Sequence, residues 1–230
     1  MEVLSWKFMI TEYLVNKDPS LTAHDEGEWS KTHSEYTAFN DGGVECEVGE
    51  FLYGMVRLLK PQHILETGTH MGISSSYMAQ ALKDNGRGLL TTLEIEKQHI
   101  RTSEWRWKQL DLERYVICDK EMSLEYDLEY ECDLMFLDSE PYFRFKELKR
   151  FYPKLKNGGY AFIHDTPRTL CQGNVNPDHP EFKSWPFGDI NEEVKNWVLD
   201  NDLVPFYFPN PRGMVGFYKR HQDDFKWGRL

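Results

Sequence analysis

Apolar positions along the chain follow two alternating patterns, one typical of helices and one typical of short buried strands. Helical spacing marks Val48–Leu59, Ser74–Lys83, residues 97–110, Arg144–Leu155, Glu192–Leu199 and an amphipathic segment near residues 6–14 that ends between Asn16 and Pro19. Short apolar runs predict strands at His63–Glu66, Leu89–Glu94, Tyr115–Cys118, Asp133–Leu137 and Tyr160–Ile163. Strand and helix in alternation imply parallel pairing with right-handed crossovers, which predicts a doubly wound, mostly parallel α/β sheet.

The end of the chain has a different pattern. Asn157-Gly158-Gly159 predicts a turn before the last parallel strand, and residues 167–188, rich in Pro, Gly and Asn, predict a long excursion. Leu203–Phe208 and Met214–Lys219 flank Pro209-Asn210-Pro211-Arg212-Gly213, which is typical of a hairpin. We therefore expect a C-terminal antiparallel hairpin to complete the sheet.

Polar residues near the amino terminus separate the first helix from this alternating core. Residues 22–40 predict a loop that could cover a site as a lid or be surface elaboration. We therefore divide the chain into an N-terminal helical and loop extension over 1–45, a main domain over 46–220 and a tail over 221–230.

Composition narrows the kinds of partner. A formal net charge of −11 opposes general nucleic-acid binding and favours a small-molecule ligand. Cysteines stand at positions 46, 118, 132 and 171 without a CxxC pair, which indicates reduced thiols in a cytoplasmic protein. We see no signal peptide pattern at Met1, and no apolar run approaches the ~18 residues of a membrane helix.

Residues 64–76 combine a strand end, a glycine turn and a helix start. Glu66 ends the strand, Gly68 and Gly72 follow with G-x-x-x-G spacing, and Ser74 opens the helix. Dinucleotide sites use G-x-G-x-x-G, and a carboxylate at Glu66 would repel a pyrophosphate. The acid would instead tolerate the ammonium and sulfonium groups of S-adenosylmethionine (SAM). Glu94, about 22 residues beyond Gly72, suits a ribose diol.

The runs ILETGTHMGISSSYMAQAL, TTLEIEKQ, DLMFLDSEPYF and GGYAFIHDT resemble the class I SAM-dependent methyltransferases. The nearest types are small-molecule O-methyltransferases of the catechol, caffeoyl-CoA and macrocin kinds and the cephalosporin-hydroxylase-like group. The resemblance covers roughly residues 45–220. It implies a Rossmann-like fold and transfer of a methyl group to a hydroxyl of a small-molecule acceptor.

The resemblance also implies which residues bind the cofactor. The matching positions are Glu66, Gly68, Gly72 and Ser74 for the methionine part, Glu94 for the ribose, Asp119 and Lys120 beside the adenine, and Asp138 as a further contact. His70 either contacts the cofactor carboxylate or fills the turn. Glu94 could instead cap a helix, and Glu96 is the competing carboxylate.

The resemblance further implies a divalent metal ion, with Mg²⁺ the natural choice for oxygen ligands. Asp138 and Asp165 match the metal-binding carboxylates, and Thr166 stands where catechol-type enzymes have Asn. Carboxyl ends of adjacent parallel strands converge on the crevice where ligands bind, so both acids would face it. The metal would lower the pKa of the substrate hydroxyl. Alternatively, the two acids only cap loops or hydrogen-bond the cofactor.

The catalytic base is a point where the sequence departs from the family. Pro141 stands where catechol-type enzymes have a lysine, so His164 and Glu140 are the replacement candidates beside Asp138 and Asp165. An ordinary His pKa near ~6.5 suits general-base work. Strand alternation would turn His164 and Asp165 to opposite sides unless the strand has already ended, so a buried structural His164 is an equal alternative.

Other functions stay open on the sequence. A metal-independent N- or O-methyltransferase would use Asp138 and Asp165 to orient its substrate, and a non-catalytic binding module would keep only the cofactor fold. An NAD-dependent dehydrogenase fits the glycine spacing poorly. The family often forms homodimers, which nothing in the sequence contradicts.

Overall fold

The structure is a computed structural model that describes residues 9–21, 23–24, 37–39, 43–166, 192–208 and 212–221. Helices and strands alternate through most of the described chain. In order they are α1 (Met9–Lys17), β1 (Ala23–His24), β2 (Ala38–Phe39), α2 (Cys46–Leu59), β3 (His63–Thr67), α3 (Ile73–Asn85), β4 (Leu89–Leu93), α4 (Lys97–Gln109), β5 (Val116–Asp119), β6 (Cys132–Leu137), α5 (Pro141–Phe151), a 3₁₀ turn (Tyr152–Lys154), β7 (Leu155–His164), α6 (Glu192–Asp200), β8 (Leu203–Phe208) and β9 (Met214–Lys219).

Seven strands form one mixed sheet in the order β5-β4-β3-β6-β7-β9-β8. The pairs β4–β5, β3–β6 and β6–β7 are parallel, whereas β9 pairs antiparallel with both β7 and β8. The predicted Rossmann-like, mostly parallel α/β sheet with a C-terminal antiparallel hairpin is therefore confirmed. The chain divides into two compact units, which are described separately below.

The first unit comprises residues 1–60 and 69–120. Helix α3 packs against α2, and its Tyr77 and Met78 side chains are fully buried. Helix α1 is fixed to α2 because the Thr11 backbone N–H and hydroxyl both donate to Glu50 Oε1, at 2.7 and 2.8 Å. The glycine turn and the end of β4 therefore lie in a unit with a well-packed helical layer.

The second unit comprises residues 61–68 and 121–230. Its core is the apolar strand interior, in which Leu134, Phe136, Phe162 and Phe217 are buried. Helix α5 packs on β6 and β7. Because β6 and β7 are parallel in register up to the pair Leu137–Ile163, the residues that follow them lie side by side. This register positions the acids that the sequence placed after both strands.

Two predicted segments, the helix near residues 144–155 and the turn at 157–159, differ from the structure by more than a residue or two. Helix α5 begins at Pro141, whose fixed φ suits the first helical position, and it ends at Phe151 rather than Leu155. The predicted turn at Asn157-Gly158-Gly159 lies inside β7 instead. The pairing register with β6 shifts there, and Gly158 adopts φ +83°, so the extra residues form a bulge and not a chain reversal.

The described residues cover only part of the predicted N-terminal elements. Helix α1 ends at Lys17, as expected, and residues 23–24 pair antiparallel with residues 38–39 inside the predicted loop. Residues 1–8, most of the predicted lid, the excursion at 167–188 and the tail from 222 lie outside the described residues. The proposed division into extension, main domain and tail stays a prediction. Within the described ranges, no helix is long and apolar enough to cross a membrane.

Candidate active site

Predicted site residues fall into two groups, one in each unit. The glycine-loop site is the part in the first unit, made of His70, Gly72, Ser74, Glu94 and Asp119. The acid cluster is the part in the second unit, made of Asp138, Arg144, His164, Asp165 and Arg212. Glu66 and Gly68, at the end of β3, also belong to the second unit.

Position 72 requires glycine both because of its backbone conformation and because a side chain would not fit there. Gly72 adopts φ +75° as the N-cap residue of α3, and an added Cβ would lie 2.6 Å from Ser103 Cβ and 3.3 Å from Trp107 Nε1. His70 also adopts a left-handed conformation, with φ +46°, which is uncommon for a residue with a Cβ. Ser74 is buried in the first turn of α3. The loop is therefore tightly turned against α4.

Glu94 fixes this loop through backbone donors. Its Oε2 accepts the N–H of His70 at 2.8 Å, and its Oε1 accepts those of Ile95 and Glu96 at 2.8 and 2.9 Å. Asp119, at the end of β5, accepts the Glu94 N–H through its carbonyl at 3.1 Å. The structure thus brings His70, Glu94 and Asp119 together around the end of β4.

Glu96 behaves differently from Glu94. It is the exposed N-cap residue of α4, and its side chain makes no capping hydrogen bond. Glu94 is 8% exposed and fastens the residues that lead into the helix. The two readings of Glu94, capping and ligand binding, are compatible, because a carboxylate has about four lone-pair sites and Glu94 uses three for backbone N–H groups.

A buried ion pair supports the glycine loop from the opposite side. Arg106 Nε lies 2.9 Å from Asp18 Oδ2, and Arg106 Nη1 donates to the Met71 carbonyl. Both side chains are nearly inaccessible. Sequence reasoning missed this pair. Arg106 lies on the buried face of α4 together with Ser103 and Trp107. A charged side chain at a buried helical position needs a partner, so this pattern could have indicated an ion pair.

In the second unit, Gly68 lies against the backbone that follows β6. It adopts φ +78°, and an added Cβ would lie 2.4 Å from the Asp138 carbonyl oxygen and 2.9 Å from Ser139 Cα. Glu66, two residues before Gly68 in β3, is fully buried. The glycine therefore permits the close approach that brings the ends of β3 and β6 together.

Asp138, His164 and Asp165 converge, although strand alternation opposed it. His164 is the last residue of β7, and Asp165 leaves the strand with φ +53°. The backbone turn lets both side chains face Asp138. His164 Nδ1 lies 3.3 Å from Asp138 Oδ1 and 3.5 Å from Asp165 Oδ1. Because β7 ends at His164, the side chains of His164 and Asp165 can lie on the same side, as the sequence analysis required.

Arg144 lies between the two carboxylates. Its Nη2 is 3.0 Å from Asp138 Oδ1 and 3.1 Å from Asp165 Oδ2. The same guanidinium donates through Nη1 to the His164 carbonyl and through Nε to the Ser139 carbonyl, each at 2.6 Å. The side chain is 6% exposed. One buried cation therefore fastens the ends of β6 and β7.

Arg212 neutralises Asp165 from the hairpin. Its Nε lies 2.5 Å from Asp165 Oδ1 and its Nη2 donates to Oδ2 at 2.8 Å, a bidentate pair. Burial opposes ionisation of Asp165, but the charges of Arg212, His164 and Arg144 outweigh it and hold its pKa well below the usual range. Asp165 is therefore ionised at neutral pH.

Glu147, one turn after Arg144 on α5, forms a second buried network. It accepts hydrogen bonds from Thr67 at 2.9 Å, from Ser139 at 2.6 Å and from Ser123. Burial raises its pKa despite these donors. The network ties the residue before Gly68 to the residue after Asp138. Neither Arg144 nor Glu147 was identified from sequence as a site residue.

The remaining candidates lie at the edge of the acid cluster. Glu140 is the exposed N-cap residue of α5, and Pro141 is its first helical residue. Thr166 is buried; its hydroxyl donates to the Ile163 carbonyl at 3.5 Å, and its N–H donates to the Gly213 carbonyl at 3.1 Å. Thr166 therefore helps to fix the hairpin.

Comparisons with known proteins agree with this architecture. A family described as a methyltransferase domain matches residues 65–166. A "Probable O-methyltransferase" of Mycobacterium tuberculosis is 24% identical over 210 residues, covering 87% of this chain and 91% of that protein.

Solved structures share the fold. The SAH-bound methyltransferase PaMTH1 of Podospora anserina superposes with a TM-score of 0.65 at 17% identity, covering 96% of this chain and 100% of that one. The O-methyltransferase TomG of Streptomyces achromogenes, in complex with SAM, gives 0.63 at 18% identity, with coverage of 96% and 100%.

Proposed function

We propose that this chain, a member of the class I SAM-dependent methyltransferases, transfers the methyl group of SAM to a hydroxyl of a small-molecule acceptor. The observation that carries the proposal is the Glu94 carboxylate at the end of β4, held by the His70 N–H of the glycine loop and by the N–H groups of Ile95 and Glu96. The lone-pair site that these three donors leave on the strand-end acid is suited to accept a hydrogen bond from a ribose hydroxyl.

We assign the cofactor to the positions that the family resemblance implies. In the first unit, the left-handed turn at His70 and Gly72 is suited to backbone contacts with the amino-acid part of SAM. In the second unit, buried Glu66 supplies a carboxylate for its ammonium group. The proposed set is Glu66, Gly68, His70, Gly72, Ser74, Glu94, Asp119 and Asp138.

When bound, SAM supplies an electrophilic methyl carbon on a positively charged sulfur. The bond from the acceptor oxygen to that carbon forms as the sulfur–carbon bond breaks, so the products are a methyl ether and S-adenosylhomocysteine (SAH). Residues that hold the reacting atoms in line supply much of the rate of such a displacement. The protein must also accept the hydroxyl proton.

Asp138 and His164 are the proposed proton-accepting pair. Among the described residues, both partners of Asp138 contact Oδ1, which leaves Oδ2 to accept a hydrogen bond from the acceptor hydroxyl. His164 Nδ1, 3.3 Å from Asp138 Oδ1, is oriented by that carboxylate. The hydroxyl proton moves to Asp138 Oδ2 as the oxygen–carbon bond forms, and the His164 imidazole holds that carboxylate in place through Oδ1. Asp165 Oδ1 lies 3.5 Å from the same ring nitrogen.

The divalent metal that the resemblance implies does not fit the acid cluster as it is arranged. Asp138, His164 and Asp165 offer one ligand atom each within 4.8 Å of one another, which suits a metal in number and spacing. However, the two carboxylates already contact the guanidinium groups of Arg144 and Arg212. We therefore propose the metal-independent form of the reaction, and Thr166 acts as a structural residue.

Calorimetric titration with SAM and with SAH tests the cofactor half of the proposal. We expect one molecule of either compound to bind per chain, and we expect SAH to inhibit turnover because it is the product. Incubation with SAM and a panel of phenols and alcohols, followed by mass spectrometry of SAH and of the methylated acceptor, tests the transfer. Absence of binding at high micromolar SAM and SAH by folded protein would refute the proposal.

A further inference from the structure

Arg144 occupies a position with unusual bonding for a side chain in the first turns of a helix. It is the fourth residue of α5, where the helix dipole disfavours a positive charge. Its guanidinium nevertheless is buried and contacts both strand-end acids and two backbone carbonyl groups. The two carboxylates compensate the unfavourable position of the positive charge, and Arg144 in turn neutralises the carboxylates.

The charges of the cluster balance without any further cation. Asp138 and Asp165 contribute two negative charges, which the guanidinium groups of Arg144 and Arg212 offset, and any charge on His164 only adds to the positive side. A divalent ion bound to Asp138, His164 and Asp165 would lie close to a guanidinium that cannot be deprotonated. The ion would compete with Arg144 for both carboxylates.

Arg144 and Arg212 differ in how firmly they are held. Arg212 pairs with both carboxylate oxygens of Asp165, and its side chain is 26% exposed. Arg144 bridges both acids from a buried position. Arg144 is therefore the group whose position matches that of a bridging cation.

We infer that the Arg144 guanidinium takes the place of a bridging divalent cation between Asp138 and Asp165. The inference deepens the proposed function, on which its catalytic meaning rests. Arg144 is a positioning residue: it holds Asp138 so that Oδ2 faces the acceptor hydroxyl, and it keeps the His164 backbone in place through the carbonyl. The enzyme consequently neither contains nor needs a metal ion at this cluster.

Metal titration tests this inference without any reference to methyl transfer. Free Mn²⁺ is followed by its electron paramagnetic resonance signal as full-length protein is added in metal-free buffer. We expect wild-type protein to leave the signal unchanged at high micromolar Mn²⁺. Arg144→Met keeps the side-chain stem and removes the charge, and we expect it to bind Mn²⁺ at least about tenfold more tightly than wild type, with Mg²⁺ competing.

Three further variants assign any gained binding to the cluster. Arg144→Lys retains the charge and should stay as inert to Mn²⁺ as wild type. Lys146→Ala removes an exposed cation from the same helix and should also gain nothing. Adding Asp165→Asn to Arg144→Met should abolish the gained binding because it removes a ligand.

Wild-type binding of Mn²⁺ that Asp165→Asn abolishes would overturn the inference, even if Arg144→Met fails to fold. A folded Arg144→Met protein that gains no Mn²⁺ affinity would also overturn it. In the transfer assay, turnover of the wild type should survive EDTA unchanged, and loss of turnover that Mg²⁺ restores would contradict the inference. Failure to bind SAM, in contrast, would refute the proposed function and leave the metal result standing.

Discussion

The glycine-loop site and the acid cluster hold their carboxylates by opposite means. Glu94 accepts three backbone N–H groups, and the imidazole of His99 lies 3.7 Å from its Oε2. Asp138 and Asp165 are held by side-chain cations, chiefly Arg144. Backbone donors leave a carboxylate its full charge, whereas guanidinium groups neutralise it.

This difference separates two kinds of chemistry. A carboxylate that keeps its charge attracts hydroxyl donors, which suits the recognition of a ribose diol. A neutralised cluster has little attraction for a free cation but can orient a hydroxyl and a histidine. In the proposed function, a carboxylate therefore serves binding in one unit and positioning in the other.

The largest expected effect comes from the buried Arg106–Asp18 ion pair beside the glycine loop. Arg106→Ala leaves Asp18 buried without its partner and releases the Met71 carbonyl, so unfolding free energy should fall by about 3–5 kcal/mol. Urea denaturation followed by circular dichroism measures it. As a matched control, Asp111→Asn breaks the exposed ion pair with Lys83 and should hardly move the midpoint. Equal effects of the two changes would show that the loop does not need the buried pair.

Gly68→Ala should have the next largest effect, because it adds a Cβ where φ is +78° and the Asp138 carbonyl oxygen would be 2.4 Å away. We expect a loss of about 3 kcal/mol in stability together with weaker SAH binding. Gly54→Ala is the control, since Gly54 lies exposed within α2 with nothing within 4 Å of an added Cβ. That control should be neutral or slightly stabilising. A Gly68→Ala protein as stable as Gly54→Ala would contradict the close approach.

The sequence predicted the glycine-loop site better than the acid cluster. The glycine-loop site depends on local rules: a strand-end acid, glycines at positions with positive φ and a helix start within 13 residues, numbered 64–76. Those rules also predicted the strands and the hairpin. The bulge in β7 was missed because Asn-Gly-Gly favours a turn and a bulge alike, and only pairing with β6 decides between them.

The acid cluster depends on residues far apart in the chain, and sequence predicted only part of it. Asp138, His164 and Asp165 were identified, but Arg212 was considered only as part of a turn and Arg144 only as part of a helix. No local sequence pattern predicts that an arginine of the hairpin contacts Asp165, 47 residues earlier in the chain. The physical clue was the position of Arg144 near a helix N-terminus, where a cation needs a compensating partner.

A smaller effect concerns the pH dependence of Glu147, a buried acid of the second unit whose pKa is raised by burial. The folded protein binds this proton more tightly than the unfolded chain. Wild-type stability should therefore fall as pH rises from the ordinary value near 4.5 through the raised folded pKa, and then level off. Glu147→Gln should lack this fall, so its stability relative to wild type should rise over that window. Urea midpoints at several pH values measure both proteins, and parallel curves would rule out the raised pKa.

Binding of SAH to Glu94 and Glu96 variants tests the central claim most directly. Calorimetric titration should show Glu94→Ala binding SAH about 10–100-fold more weakly than wild type, because hydrogen bonds to a charged group are lost. Glu96→Ala, two residues along and exposed, should bind within about twofold of wild type. Unchanged affinity in folded Glu94→Ala protein, or an equal loss in both variants, would contradict a ribose site at the end of β4.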